Sequence, residues 1–149
     1  MQKLDQDFVA DTNVVFKLFV QEQESDKAAR LFEKAGQNRL RVIVPDFLPL
    51  EFLNILWFKT HRRELDHAES LQISGLFRAL LSTLHVVSSR PLLGQIIEAS
   101  IAQDHPAYDM AFVVLAEHLS IPFVTADVKL RRKISGHFRS TILLRDVKL

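Results

Sequence analysis

The sequence predicts a three-layer α/β protein, in which a mainly parallel sheet of about four to five short strands is flanked by helices. Two observations support this prediction. Short apolar runs alternate with longer segments of helical pattern along the chain, and such alternation is typical of parallel sheets covered by helices. The 149 residues also contain no internal repeat, linker or low-complexity segment, so we expect a single domain over residues 1–149.

The predicted strands are short, apolar and widely separated. They are Phe8 to Ala10, Val42 to Val44, Leu84 to Val87, Phe123 to Thr125 and Ile142 to Leu144. Helical patterns occupy 26–35, a stretch from the Pro45–Pro49 region to about Arg63, 67–81, 91–102, the segment around Asp109, and 128–134, with a shorter apolar turn or helix at 14–20. The helix that ends near Arg63 is apolar around nearly its whole circumference, which predicts burial on several sides.

Four acidic residues occupy unusual positions in this pattern. Asp11 and Asp127 each follow a short apolar strand, Asp109 lies in the first turn of an apolar helix, and Glu51 lies within another. A helix-end role would explain Asp11 or Asp109 alone, and Asp127 is well placed to cap the helix at 128–134. Glu51 is harder to explain, because an isolated charge among apolar side chains is unfavourable. Strands that run parallel would bring Asp11 and Asp127 to one edge of the sheet, where ligand sites form.

Convergence of these acids would require compensation. Two carboxylates about 5 Å apart repel each other by roughly 3 kcal/mol at an effective dielectric near 20. Protonation, basic partners or a divalent cation could offset this repulsion. A set of carboxylate oxygens without Cys or His suits a hard ion, Mg²⁺ or Mn²⁺. Such ions activate water and stabilise in-line displacement at a phosphodiester, alone or in pairs.

Composition excludes several other classes of site. The chain has no cysteine, so disulfides, thiolate metal sites and cysteine nucleophiles are ruled out. Its four glycines form no phosphate-binding loop, and its six histidines lack zinc-site spacing. The amino-terminal residues include acids where a signal peptide would be apolar, and no apolar run is long enough to cross a membrane. We therefore expect a cytoplasmic protein without a membrane partner.

The arrangement of these motifs resembles the PIN-domain family. Tyr108-Asp-Met-Ala-Phe-Val-Val-Leu-Ala116 followed by Pro122-Phe-Val-Thr-Ala-Asp127 resembles the family signature, and Val9-Ala-Asp-Thr-Asn13 resembles its first motif. The resemblance covers essentially the whole chain. It implies an Mg²⁺- or Mn²⁺-dependent ribonuclease whose catalytic, metal-binding acids are Asp11, Glu51, Asp109 and Asp127. It also implies that Asn13 and Thr125 support the site by hydrogen bonding.

The chain length is similar to that of VapC-type toxins from prokaryotic toxin–antitoxin pairs. That resemblance implies a homodimer, an RNA substrate and a cognate antitoxin that covers the active-site groove. Two features depart from the family pattern. Met110 stands where a smaller residue is usual, and the loop at Asp104 is unusually polar. Neither replaces one of the four acids, so they bear on substrate choice. Asp104 is an additional acid near the site or, as we expect, a solvated loop residue.

Two surface features allow more than one interpretation. Basic side chains follow Asp127, and they are Lys129, Arg131, Arg132 and Lys133. They could bind an RNA backbone, because phosphate contacts supply most sequence-independent affinity, or they could form a solvated helix face. Phe47, Trp57 and Phe58 could form an interface with a second copy or an antitoxin, although core packing is the expected role.

Other functional classes fit the sequence less well. A haloacid-dehalogenase-type phosphotransferase requires a second Asp two residues after the first, and Asn13 occupies that position. A receiver domain would need several acids near its start, whereas Asp11 is alone at the end of its strand. The remaining alternative is a catalytically silent PIN-like module that binds RNA or protein, which the presence of all four acids argues against.

Overall fold

The computed structural model describes residues 1–149. The strands are β1 (Gln2–Lys3), β2 (Phe8–Ala10), β3 (Val42–Pro45), β4 (His85–Val87), β5 (Phe123–Thr125), β6 (Thr141–Leu143) and β7 (Val147–Lys148). The helices are α1 (Thr12–Phe16), α2 (Ser25–Gln37), α3 (Leu48–His61), α4 (His67–Leu81), α5 (Leu93–Gln103), α6 (Ala107–Leu119) and α7 (Val128–Ile134). Short 3₁₀ turns occupy Arg90–Leu92 and Leu144–Asp146.

Five strands form one parallel sheet in the order β4-β3-β2-β5-β6. The predicted α/β fold with a parallel sheet flanked by helices is therefore confirmed. Connections between parallel strands are right-handed as a rule. This rule assigns α2, α3 and α4 to one face of the sheet and α5, α6 and α7 to the other, because the chain moves in opposite directions across the sheet in these two groups.

A second, two-stranded sheet joins the ends of the chain. β1 pairs in parallel with β7, with Gln2 opposite Val147 and Lys3 opposite Lys148. Leu4 and Val147 are buried beside this pair. These strands were not among the sequence predictions, since two-residue strands carry no readable periodicity and form only through contact with each other.

Helix α6 is the central helix of its layer. Every residue from Met110 to Ala116 is buried. Phe112 stacks against Phe123 of β5 with ring centroids 5.7 Å apart, and the Phe47 and Phe112 rings pack edge to face with centroids 5.4 Å apart. A helix that precedes a parallel strand runs antiparallel to it, so its amino terminus lies at the carboxyl edge of the sheet. The position of α6 therefore brings its first turn to the edge at which the strands end.

Helix α3 is buried on one side only. Phe52 stacks on Phe77 of α4 with ring centroids 3.7 Å apart, whereas other large apolar side chains of α3 are exposed, namely Leu50, Leu53, Trp57 and Phe58. The prediction that this helix is buried on several sides is wrong, and so is the expectation that Trp57 and Phe58 are core residues. No helix in the chain has both the length and the apolar character needed to cross a membrane.

Candidate active site

The candidate site lies at the carboxyl edge of the sheet, between β2 and β5. The chain passes from β2 to β3 on one side, while β5 pairs with the other side of β2. This is a topological switch point, where open α/β sheets form their ligand-binding crevices. Asp11 follows β2 directly and Thr125 ends β5, so both residues lie at this crevice.

Asp11 is the most buried acid of the site, with 6% of its surface exposed. The Thr125 hydroxyl donates a hydrogen bond to Asp11 Oδ2 at 2.5 Å, and Asn13 Nδ2 donates to the same oxygen at 3.0 Å. Asn13 is itself held by Ala126, whose backbone N–H donates to Asn13 Oδ1 at 3.0 Å. Asp11 precedes α1, but its side chain makes no capping hydrogen bond. The helix-cap explanation is therefore wrong for Asp11, whose carboxylate is held by side chains of the crevice.

The charge state of Asp11 reflects this burial. The pKa of its carboxyl group is raised from 3.8 to about 7, mainly by burial, and the negative charges of Asp109 and Glu51 contribute to this rise. The hydrogen bond from Thr125 acts in the opposite direction. The charges of Asp109 and Glu51 affect the Asp11 carboxyl group because the three acids lie near one another. The structure therefore brings Asp11, Glu51 and Asp109 into one cluster.

Glu51 enters the cluster from the first turn of α3. Its side chain is half-buried, and the Thr12 hydroxyl donates a hydrogen bond to Glu51 Oε1. Burial raises the pKa of Glu51, and the charge of Asp109 adds to this effect. The polar group that faces Glu51 is thus Thr12, the residue next to Asp11.

Asp109 enters from the first turn of α6. Its charge raises the pKa of both Asp11 and Glu51, in agreement with the position of the amino terminus of α6 at the carboxyl edge of the sheet. His105 Nε2 lies 2.6 Å from Asp109 Oδ2. His105 was not among the candidate site residues predicted from the sequence.

The loop that carries His105 is held on both sides. Asp104 adopts a left-handed backbone conformation with φ of 47°, and the His105 backbone N–H donates to the Ser100 carbonyl at 3.0 Å. The Asp104 carbonyl accepts a hydrogen bond from Lys133 at the end of α7. The side chain of Asp104 is exposed, as expected for a solvated residue. Lys133, one of the four cations that could bind RNA or form a solvated helix face, thus contacts this loop.

Asp127 differs from the other three acids. Its Oδ1 accepts a hydrogen bond from the Leu130 backbone N–H at 2.9 Å and so caps α7. The capping role predicted for Asp127 is confirmed. Its own backbone N–H donates to the Thr125 hydroxyl at 3.0 Å. Thr125 therefore connects Asp127 to Asp11, and the role predicted for Thr125 as a supporting residue agrees with these contacts.

The four acids share one structural feature. In each, one carboxylate oxygen is held by a donor from the chain, while the other accepts no hydrogen bond from it. No three His, Asp or Glu side chains are arranged to hold a metal ion as they stand. The donor set is nonetheless suited to Mg²⁺ or Mn²⁺, because Mg²⁺ retains several waters and needs only one or two carboxylates.

The basic residues after Asp127 lie on α7. Lys129 and Arg132 are exposed and Arg131 is half-buried. None of them belongs to the ion pairs of the chain, which involve other residues. Their charges are thus not neutralised by acids of the protein, and the capped start of α7 at Asp127 connects them to the site.

The fold and the site together define an α/β protein with an acidic centre at the switch point of a parallel sheet. The model of the PIN domain matches residues 8–134. The chain therefore belongs to the PIN-domain family, and this membership supports a nuclease function. No curated protein sequence gave a significant match.

Solved structures share this fold at low sequence identity. PAE2754 from Pyrobaculum aerophilum superposes with a TM-score of 0.70 at 18% identity, over 95% of this chain and 85% of that one. VapC20 from Mycobacterium tuberculosis is described as a toxin that cleaves the sarcin-ricin loop. It superposes with a TM-score of 0.65 at 15% identity, over 88% of this chain and 95% of that one. VapBC2 from Rickettsia felis was solved with a DNA fragment from its promoter. It superposes with a TM-score of 0.62 at 13% identity, over 91% of this chain and 96% of that one.

Proposed function

We propose that this protein is a divalent-metal-dependent endoribonuclease, in which Asp11, Glu51, Asp109 and Asp127 bind Mg²⁺ or Mn²⁺. The observation that carries this proposal is the shared state of the four acids, each with one oxygen held by the protein and one left available. Ligands held in this way by outer partners are oriented before a cation arrives. Membership of the PIN-domain family and the fold shared with a VapC toxin support the same conclusion.

The residues of the chain would divide the work as follows. Thr125 and Asn13 orient Asp11, Thr12 orients Glu51, and His105 orients Asp109. A bound divalent cation would activate water and stabilise the charge that develops during displacement at a phosphodiester. The exposed cations of α7 would bind the RNA backbone beside the site.

The test is cleavage of RNA by the purified protein with Mn²⁺, compared in wild type, Asp11→Asn and Glu51→Gln. We expect each substitution to reduce cleavage by more than about a hundred-fold, since even outer partners of metal ligands contribute roughly 10–100-fold. Asp46→Asn is the matched control. Asp46 likewise follows a strand, β3, at this edge of the sheet, but Ser88 and Ser89 donate hydrogen bonds to its carboxylate. Undiminished cleavage by Asp11→Asn would refute the assignment.

We also propose that the protein acts in the cytoplasm as the toxin of a toxin–antitoxin pair, as a homodimer inhibited by a cognate antitoxin. The fold shared with VapC20 and VapBC2 supports this role. Expression of the chain alone should slow growth, and co-expression of a cognate antitoxin from a short neighbouring reading frame, if one is present, should restore it. Normal growth with confirmed soluble protein would contradict the toxin role and leave the nuclease proposal intact.

The competing proposal is a catalytically silent PIN-like module that binds RNA or protein. Such a module would have the same fold but would not cleave RNA. It predicts that the wild type binds RNA without cleaving it under any divalent cation, and that Asp11→Asn leaves this binding unchanged. The cleavage experiment above therefore separates the two.

A further inference from the structure

An open cavity of about 530 Å³ lies beside the acid cluster. Its lining residues are Phe47, Leu50, Glu51, Asn54 and Tyr108. Its volume falls within the roughly 300–1,000 Å³ that is usual for small-molecule sites. Glu51 belongs to both the cavity and the acid cluster, so a group bound in the cavity would be a direct neighbour of whatever the acids bind.

The aromatic side chains of the cavity are unusually placed. Tyr108 is 66% exposed, although it is large and follows the start of α6. Its ring packs against the Phe47 ring at a steep angle with centroids 5.8 Å apart, and Phe47 in turn packs against buried Phe112. This connection to the core holds Tyr108 at the cavity while leaving much of its surface available to a ligand.

Polar groups complete the lining. Asn54 is exposed on α3, one turn after Glu51, and its amide makes no side-chain hydrogen bond with the rest of the chain. An amide has both donors and an acceptor. An aromatic face beside an amide provides what an unpaired nucleobase requires, since such bases stack on aromatic rings and hydrogen-bond through their edges.

We propose that this cavity binds one unpaired nucleobase of the RNA substrate, adjacent to the phosphate that is cleaved. Tyr108 provides the stacking surface and Asn54 contacts the base edge. This inference rests on the proposed nuclease function, because it takes the neighbouring acids as the place where the phosphodiester reacts. It restricts the substrate to single-stranded or looped RNA, since bases inside a duplex are stacked on each other and unavailable to a side chain.

The first experiment measures binding of a short single-stranded oligoribonucleotide that contains 2-aminopurine, in EDTA to prevent cleavage. We expect Tyr108→Ala to weaken binding about five- to 150-fold, the range found when a stacking aromatic is removed. Fluorescence quenching of the 2-aminopurine should be lost with it. Tyr108→Phe should retain both signals and Tyr108→Leu should lose both, because leucine is apolar but cannot stack.

The second experiment compares cleavage kinetics in Mn²⁺. Tyr108→Ala should raise KM and leave kcat largely unchanged, and Asn54→Ala should change the preference among the four bases. Leu76→Ala is the control, because Leu76 is an exposed apolar residue in a separate groove beside Phe19. It should bind and cleave RNA as the wild type does.

Three outcomes would overturn the inference. Wild-type affinity in both Tyr108→Ala and Tyr108→Leu would exclude stacking in the cavity. Equal binding of duplex and single-stranded RNA would exclude an unpaired base. If Tyr108→Ala lost binding to a partner protein while its RNA binding stayed unchanged, the cavity would be assigned to that protein. A wild type that binds the oligonucleotide through Tyr108 but cleaves no RNA would support the cavity and refute the nuclease proposal, so the two remain separable.

Discussion

Replacing Asp11 with asparagine should stabilise the metal-free protein at alkaline pH. Asparagine has nearly the same shape as aspartate, and its amide oxygen can still accept the hydrogen bond from Thr125. The substitution removes a charge that is buried beside Glu51 and Asp109. It therefore resembles the protonated acid and is free of the repulsion among the three carboxylates.

The size and pH dependence of this effect follow from the pKa of Asp11. The folded-state pKa is raised to about 7 from 3.8, so the folded chain binds the proton more tightly than the unfolded chain. The stability contributed by this group is fully present below pH 3.8 and is lost as the pH rises through about 7. The difference between a pKa of 3.8 and one of about 7 corresponds to at most about 4 kcal/mol in the free energy of unfolding. At about pH 5 the difference between variant and wild type should fall to roughly 2 kcal/mol.

The assay is thermal unfolding of wild type and Asp11→Asn in EDTA, at about pH 8 and about pH 5. For a chain of this length, 4 kcal/mol corresponds to a rise in Tm on the order of 10 °C. Asp11→Ala is the control, because it also removes the charge but leaves Thr125 and Asn13 without their acceptor. It should be less stable than the asparagine variant by about 1–3 kcal/mol. An asparagine variant less stable than wild type at the higher pH, or a Tm difference that does not change with pH, would refute the reasoning.

Three further predictions concern the surroundings of the acids. Thr125→Val should raise the pKa of Asp11 further, because the Thr125 hydrogen bond lowers it, and should move the acidic limb of the pH profile of Mn²⁺-dependent cleavage upward; Thr125→Ser should restore it. His105→Ala should weaken Mn²⁺ binding, measured by calorimetry, by roughly 10–100-fold, whereas His118→Ala, at an exposed position of α6, should leave it unchanged. Arg132→Ala should weaken RNA binding equally for all sequences and reduce the slope of log affinity against log salt by about one; an unchanged slope would mean that Arg132 contacts no phosphate.

The fold was predictable because its strands and helices have strong local patterns. The apolar runs of all five strands in the main sheet and the helical segments between them were recognised from the sequence. Burial was less predictable. The apolar residues of α3 suggested a fully buried helix, yet Leu50 and Trp57 are exposed. Hydrophobicity describes what a side chain favours, and only the packing of neighbouring elements decides which side of a helix is covered.

The candidate site was only partly predictable for a similar reason. The acids could be identified because they interrupt apolar patterns, and the capping role of Asp127 depends on residues next to it. The contact between Thr12 and Glu51 joins residues 39 positions apart and has no local signature. His105 was overlooked because its loop, although unusually polar, was expected to be solvated. Its contact with Asp109 depends on the left-handed turn at Asp104, which the sequence pattern does not indicate.

The hydrogen bond between Thr125 and Asp11 joins residues 114 positions apart, and this separation affects when activity can arise. Contacts between distant parts of a chain form late, because the entropy of closing a long loop must be overcome first. A partly synthesised chain that lacks Thr125 and Asp127 has only three of the four acids and lacks the hydroxyl that holds Asp11, however well its first strands have formed. Under the proposed function, a ribosome making this protein would not be exposed to its activity until nearly all of the chain had emerged and folded.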